Sequence, residues 1–313
     1  MKKFLKLSIS DKVFATISFL SAILILLLII GVFIVLFKES SLAIKEFGII
    51  KFITGIDWDP VKEIFGGAPQ LFGTIVTTIL ALIFAVPVGI GIAIFLTEVS
   101  PSFLKTPLGI AIEMLAAIPS IIYGMWGLFT LAPIVSEYIE PALHNTLGKL
   151  PVIGILFDGM MNGIDIFTAS LVLSIMIIPF IASVARDALN LTPNIMKESA
   201  YALGATKWEV VKDVMIPYSK LGIYGGVVLA LGRALGETMA VAFVIGNVPQ
   251  ITAHLFDPAT TITTTLANEF TEADNDLYQS SLFYLALILF ILSFIVLAIA
   301  KFYLLKVERG HKK

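Results

Sequence analysis

An all-α, polytopic membrane helix bundle with six transmembrane helices is the fold class this sequence predicts. Three observations carry the prediction. The 313 residues are 58% hydrophobic with a mean hydropathy of +0.97. Only 14% are charged, against roughly 25% in soluble domains. Six apolar runs reach the ~20 residues that a spanning helix needs, and Lys and Arg fall unevenly on the segments between them. The same composition excludes other classes. A net charge of −2 gives no electrostatic footprint for nucleic acid. The absence of cysteine removes disulfides, iron–sulfur clusters and thiolate zinc sites. His144, His254 and His311 are too scattered to suggest a metal site.

The spans are expected at 14–37, 72–96, 108–135, 164–185, 221–246 and 281–305. The first follows MKKFLKLSISDKV and is too long for the apolar core of a signal peptide, so it reads as an uncleaved helix. With the first outer loop it forms an N-terminal region, 1–71. The third span contains Pro119, Gly124, Gly127 and Pro133, which predict a kink or an early end. Six spans put both termini on one side. Placing them inside gives the inner segments fifteen Lys and Arg and the outer loops five (Lys38, Lys45, Lys51, Lys62 and Lys149), so both termini are expected in the cytoplasm of a plasma (inner) membrane protein. The outer loops 38–71, 136–163 and 247–280 are long enough for small structured elements. The Thr run at 260–265 reads as a strand or loop edge. Residues 306–313 form a short cytoplasmic tail.

The inner loop 186–220 carries its own helix signals. Thr192 before Pro193 predicts an N-cap and first helical position. A helix then runs to about Leu203, where Gly204 can take the left-handed stop. Thr206-Lys-Trp-Glu209 is a capping box that starts a second helix, and Pro217 marks its end or a bend. Such a helix pair is either an amphipathic loop on the membrane surface or a unit seated in a groove of a soluble partner.

The fifth span raises the sharpest question. Its sequence LALGRALGETMAVAFVIGN holds Arg233 and Glu237 inside an apolar run. Each charge costs roughly 2.5–3.5 kcal/mol at mid-bilayer on insertion scales. Four residues apart, they share one face of a continuous helix. They are either a structural ion pair or part of a solute path, where the planar fork of Arg suits a tetrahedral oxyanion. Gly222 with Gly226, and Gly232 with Gly236, are small-xxx-small pairs that predict close helix packing. Glu113 is either a buried partner or an interfacial carboxylate.

Two resemblances organise these features. Glu198-Ser-Ala200, then Gly204, then Val214-Met-Ile216-Pro217 resembles the EAA loop of ABC importer permeases, with departures at Ser199, Val214 and Ile216. GRALGETMAVAFVIGN, with TASLVLSIMIIPFI, ESAYALGATKWEVV and AAIPSIIYGMWGL, resembles the PstC-type permease of the phosphate-specific ABC importer. Met239-Ala240-Val241 favours that type over its PstA-type sister. The resemblance spans roughly 70–305 and implies a type I ABC importer permease domain over 72–305. It implies that 194–217 docks on an ATPase through Glu198, Ala200, Gly204, Thr206 and Pro217. It further implies that Arg233 and Glu237 line the phosphate path. The implied partners are a PstA-type permease, an ATPase dimer and an extracytoplasmic phosphate-binding protein, in a lipid membrane and without nucleic acid.

The chain has no G-x-x-x-x-G-K-[ST] loop, so ATP and Mg are expected on the partner ATPase, with no cofactor or catalytic residue here. A permease for molybdate or sulfate is the nearest alternative. A proton-coupled secondary transporter is a further one, against which the two-helix inner loop argues. An intramembrane enzyme lacks its motifs, since neither H-E-x-x-H nor G-x-S-x-G occurs.

Overall fold

A computed structural model of the chain describes residues 8–311. Lys2, Lys3, Lys6, Lys312 and Lys313 of the charge count lie outside the described residues. Helix α1, Ile9–Glu39, is N-capped by the Ser8 hydroxyl, which accepts the Asp11 N–H at 3.2 Å. Its apolar side chains are exposed on nearly every side, as a lipid-facing helix requires. The first outer loop holds α2 (Ser41–Phe47), α3 (Ile49–Thr54) and a hairpin of β1 (Trp58–Asp59) and β2 (Ile64–Phe65). Phe52, Trp58 and Phe65 pack with Tyr278, Leu282 and Leu285 of the last helix, which binds this loop to the bundle.

Helix α4, Ala68–Ile94, continues through a π turn, Phe95–Val99. The third predicted span differs from expectation. It is α5 (Ser102–Ala117) followed by helical segments that begin with α6 (Ser120–Trp126), and the two parts meet at 92°. The cause is local. Ile118 precedes Pro119 and is extended (φ −66°, ψ 129°), as the proline ring demands. The second limb continues through α7 (Ala132–Ile134) and α8 (Glu140–Thr146). Among the described residues, five helices are therefore long and apolar enough to cross a membrane, six if the bent pair counts as one span.

Helix α9, Ile166–Asn190, is the most buried of these and forms the axis of the core. Its N-cap is Asp165, whose carboxylate accepts the Thr168 N–H at 2.8 Å. The Cβ of a larger residue at Gly89 of α4 would lie 2.8 Å from an Ile181 methyl, so α4 packs tightly on α9.

The inner loop contains α10 (Asn194–Ala202) and α11 (Lys207–Glu209). The Thr206–Glu209 capping box forms, and Gly204 is left-handed at φ +90°. Two details differ from the sequence reading. The residue at the cap of α10 is Pro193 (φ −59°, ψ 135°); Thr192 is buried, with its hydroxyl 3.2 Å from that of Ser219. Pro217 does not end the second helix. A π turn at Val210–Met215 precedes it, and the helix runs on from Lys207 to Leu235 through α12, Ile216–Leu235. The widened turn accommodates a residue that has no N–H to donate.

The fifth predicted span is also shorter than expected. α12 stops at Leu235 with Gly236 as C-cap, and a tight turn leads into α13, Met239–Ala242. The Thr run is not a strand: Thr260 and Thr261 form the loop edge, and Thr263, Thr264 and Thr265 lie in the helix that follows. Thr261 caps α14, Ile262–Glu269, in a capping box with Thr264. The hydroxyls of the run satisfy one another and the helix N-terminus, which is how such polar residues are buried. Helix α15, Asp276–His311, closes the fold.

Candidate functional site

Two places gather the polar residues that the apolar core does not explain. The first is the inner loop. Its buried side, with Ala200, Ala205, Val210, Val211 and Met215, packs against Ala93 of α4 and Ala185 and Leu189 of α9. Its outer side leaves Ile195, Tyr201, Leu203 and Trp208 exposed, Leu203 at 90% and Trp208 at 62%. Glu198 is exposed and has no ion-pair partner among the described residues. Ala200 faces the packed side, whereas Gly204, Thr206 and Pro217 lie at the surface. Open space surrounds Gly204, so its positive φ, not crowding, is what calls for glycine. The loop is thus an apolar, charged-edged platform fixed to the ends of two core helices.

The second place is the end of α12. Gly222 and Gly226 pack on α9: a Cβ on Gly222 would collide with the Ala188 Cβ, and one on Gly226 would lie 3.1 Å from the Val184 Cβ. The expected second pair differs. A Cβ on Gly232 would meet Leu297 at 3.6 Å, an ordinary contact, and Gly236 meets no other helix because it is the helix cap. The chain reverses there, and a cap has no continuing face to pack.

That break changes the relation between Arg233 and Glu237. Arg233 lies in the last turn of α12 with 41% of its side chain exposed, whereas 5% of the Glu237 side chain is exposed. The nearest guanidinium nitrogen is 3.7 Å from the Glu237 carboxylate, too far for a hydrogen bond. The guanidinium carbon instead lies 5.6 Å from the Phe180 ring centroid, within cation–π range. Glu237 is held from the other side. Its Oε1 accepts the Ala240 N–H in the first turn of α13 at 3.2 Å, and its backbone carbonyl accepts the Thr263 hydroxyl at 2.6 Å. A carboxylate at a helix N-terminus is stabilised by the free N–H groups there. Glu237 is therefore fixed without Arg233, and the Arg233 fork remains open to an anion.

Leu229, Arg233, Gly236 and Met239 are exposed on and beside this turn. Sequence reasoning missed Phe180 and Thr263, which come from α9 and α14. It also missed Glu98, which meets Lys197 of α10 at 2.7 Å. Glu113 is an ion-pair residue near the inner-loop end, 2.7 Å from Arg186. Among the described residues no cluster of three His, Cys, Asp or Glu could hold a metal.

Comparison with known proteins places this geometry in a family. Residues 85–308 match the family described as the binding-protein-dependent transport system inner membrane component. The chain is 50% identical over 303 residues to the phosphate transport system permease protein PstC of Mesorhizobium japonicum, covering 97% of this chain and 92% of that relative. It is 48% identical to the protein of the same name from Haemophilus influenzae, covering 97% and 96%. The archaeal relative in Methanocaldococcus jannaschii, a probable PstC, is 38% identical over 90% of this chain and 88% of its own. Among solved structures, a chain of the inward-facing MetNI methionine ABC transporter superposes with a TM-score of 0.56 at 18% identity, covering 80% of this chain and 99% of that one, a likeness of fold. The core of α4, α9 and α12, its inner-loop platform and the chain-length identity to these permeases agree: this chain belongs to the family of binding-protein-dependent transport system inner membrane components.

Proposed function

We propose that this permease imports inorganic phosphate, with Arg233 as its anion contact. The observation that carries the reading is the half-exposed Arg233 fork beside a carboxylate already pinned by the Ala240 N–H. The relatives' shared name as phosphate permeases supports the substrate. Phosphate near neutral pH carries about −1.5 charges, while Arg233 and an ionised Glu237 sum to zero. One chain is therefore short of positive charge, and a partner permease supplies more across the exposed Leu229, Gly236 and Met239. That partner is of the PstA type, and the path lies between the two chains.

The coupling loop 194–217 docks on a separate ATPase dimer through the exposed Ile195, Tyr201, Leu203 and Trp208, with Glu198, Gly204, Thr206 and Pro217 at its surface. ATP and Mg reside on that partner. An extracytoplasmic binding protein delivers phosphate to the outer loops, and both chain termini face the cytoplasm. ATP binding closes the ATPases and moves the coupling helices, which rocks the two permeases between inward-open and outward-open states.

The decisive experiment is ATP-dependent uptake of labelled inorganic phosphate by vesicles containing all four candidate components, with and without this chain. Uptake that requires the chain and resists excess sulfate and molybdate supports the reading. Equal uptake without it, or uptake abolished by either competing oxyanion, overturns it.

A further inference from the structure

Helix α4 touches both functional places. At the inner-loop end, Lys197 of α10 meets Glu98 in the π turn that closes α4, Nζ to Oε1 at 2.7 Å, with 18% and 15% of the two side chains exposed. That turn is braced. The Thr97 hydroxyl donates to the Ala93 and Ile94 carbonyls at 3.0 and 3.1 Å, and the Thr97 carbonyl accepts from Lys105. Helix α10 itself has no fully buried residue. Apolar packing therefore holds it weakly, and the Glu98 bond is its only ion pair among the described residues.

At the other end of α4, Gly73 lies so close to the Thr260 carbonyl that no Cβ fits. The Thr74 hydroxyl accepts the Ile262 N–H at 3.0 Å, and the adjacent Thr263 donates to the Glu237 carbonyl at 2.6 Å. Between these ends the helix spans 32 residues, Ala68–Val99, about 48 Å at 1.5 Å per residue. Pro87 lies within it, yet the helix is uninterrupted there, and the contact of Gly89 with Ile181 holds that stretch against α9.

We propose that α4 is a rod carrying movement of the coupling helix to the Arg233–Glu237 turn, with Glu98 and Lys197 as positioning residues at one end and Thr74 and Thr263 at the other. The proposal rests on the reading of 194–217 as the ATPase dock and of Arg233 as the path contact. The Glu98–Lys197 pair is well suited to transmit force because it is short and mostly withdrawn from water, unlike the exposed pairs that contribute little. At the far end, the carbonyl that Thr263 holds belongs to the residue whose carboxylate faces Arg233.

The test measures ATP hydrolysis and labelled phosphate uptake on the same vesicles containing the complete transporter. Lys197→Gln and Glu98→Gln should keep hydrolysing ATP, while phosphate moved per ATP falls roughly two- to thirty-fold, the span of measured coupling effects along such networks. Lys197→Arg should stay near the unsubstituted ratio. The exchanged pair Glu98→Lys with Lys197→Glu should recover it, and Thr263→Val should lower it from the opposite end. An unchanged ratio in the Gln variants overturns the rod. So does an equal fall of hydrolysis and uptake, which marks a purely structural role. If a Gln variant fails to assemble, the exchanged pair decides: assembly regained without the ratio also overturns it. Absence of ATP-driven phosphate uptake in the unsubstituted chain overturns the functional reading itself, and is recognisable because no variant is involved.

Discussion

Replacing Arg233 by Gln separates an anion contact from a structural ion pair. The substitution keeps side-chain length and polarity but removes the charge and the fork. If Arg233 served only to neutralise Glu237, losing it would leave a buried charge uncompensated and destabilise the fold by about 3 kcal/mol or more. The geometry predicts otherwise. The two groups are 3.7 Å apart, and Glu237 keeps the Ala240 N–H, so stability should change by less than about 1 kcal/mol. Transport should respond strongly. A hydrogen bond to a charged group contributes about 1.5–3 kcal/mol. If it is made to phosphate in passage, its loss slows uptake roughly ten- to hundred-fold. Because 41% of the side chain is exposed, water screens part of the longer-range attraction, and the direct bond sets the scale. Glu237→Gln provides the contrast, since its amide oxygen still accepts the Ala240 N–H; uptake should stay within a few-fold. The assays are initial phosphate uptake in vesicles and the thermal unfolding midpoint of the purified complex. Arg233→Gln with unchanged uptake, or with a large stability loss and proportionate uptake loss, would refute the reasoning.

Other substitutions test the framework around the path. Gly222→Val drives a side chain into Ala188 and should cost about 1–3 kcal/mol, read as a lower unfolding midpoint. Gly225→Ala, which meets nothing within 4 Å, should leave that midpoint in place. Gly204→Ala forces a Cβ into a left-handed turn at φ +90° and should cost about 1–2 kcal/mol locally, measured as faster amide exchange over 194–217. The carboxyl groups of Glu140 and Asp165 are wholly buried, and neither Glu140 carboxyl oxygen has a hydrogen-bond partner among the described residues. Glu140→Gln removes an acidic group that is buried without a partner while keeping its volume, and should be neutral or stabilising, whereas Glu140→Ala leaves a cavity costing about 2 kcal/mol or more. Equal unfolding midpoints for the two variants would refute that ranking.

The candidate residues Arg233 and Glu237 stand out in the sequence because charge in an apolar run is costly. The inner loop was legible because capping is short-range chemistry: the Thr206–Glu209 box and the left-handed Gly204 form as their spacing predicts. The bend near Pro119 was anticipated, but its 92° angle depends on where the two limbs find packing partners. For the Thr run the strand alternative failed and the loop edge held only at Thr260 and Thr261: β-branched residues favour strands, while here their hydroxyls cap a buried helix.

Sequence by itself determined the membrane class, the spans of α1, α4, α9 and α15, the helix pair of the inner loop and the family. These follow from composition and from interactions within one turn of helix. Tertiary structure alone decided that α12 stops at Gly236, that Glu237 is held by the Ala240 N–H and the Thr263 hydroxyl, and that Phe180 and Glu98 join the two functional places. The physical reason is separation along the chain. Arg233 and Glu237 are one turn apart on an ideal helix, so spacing predicts a pair. Whether that helix continues depends on residues from α9, α13 and α14, whose closeness no local pattern encodes.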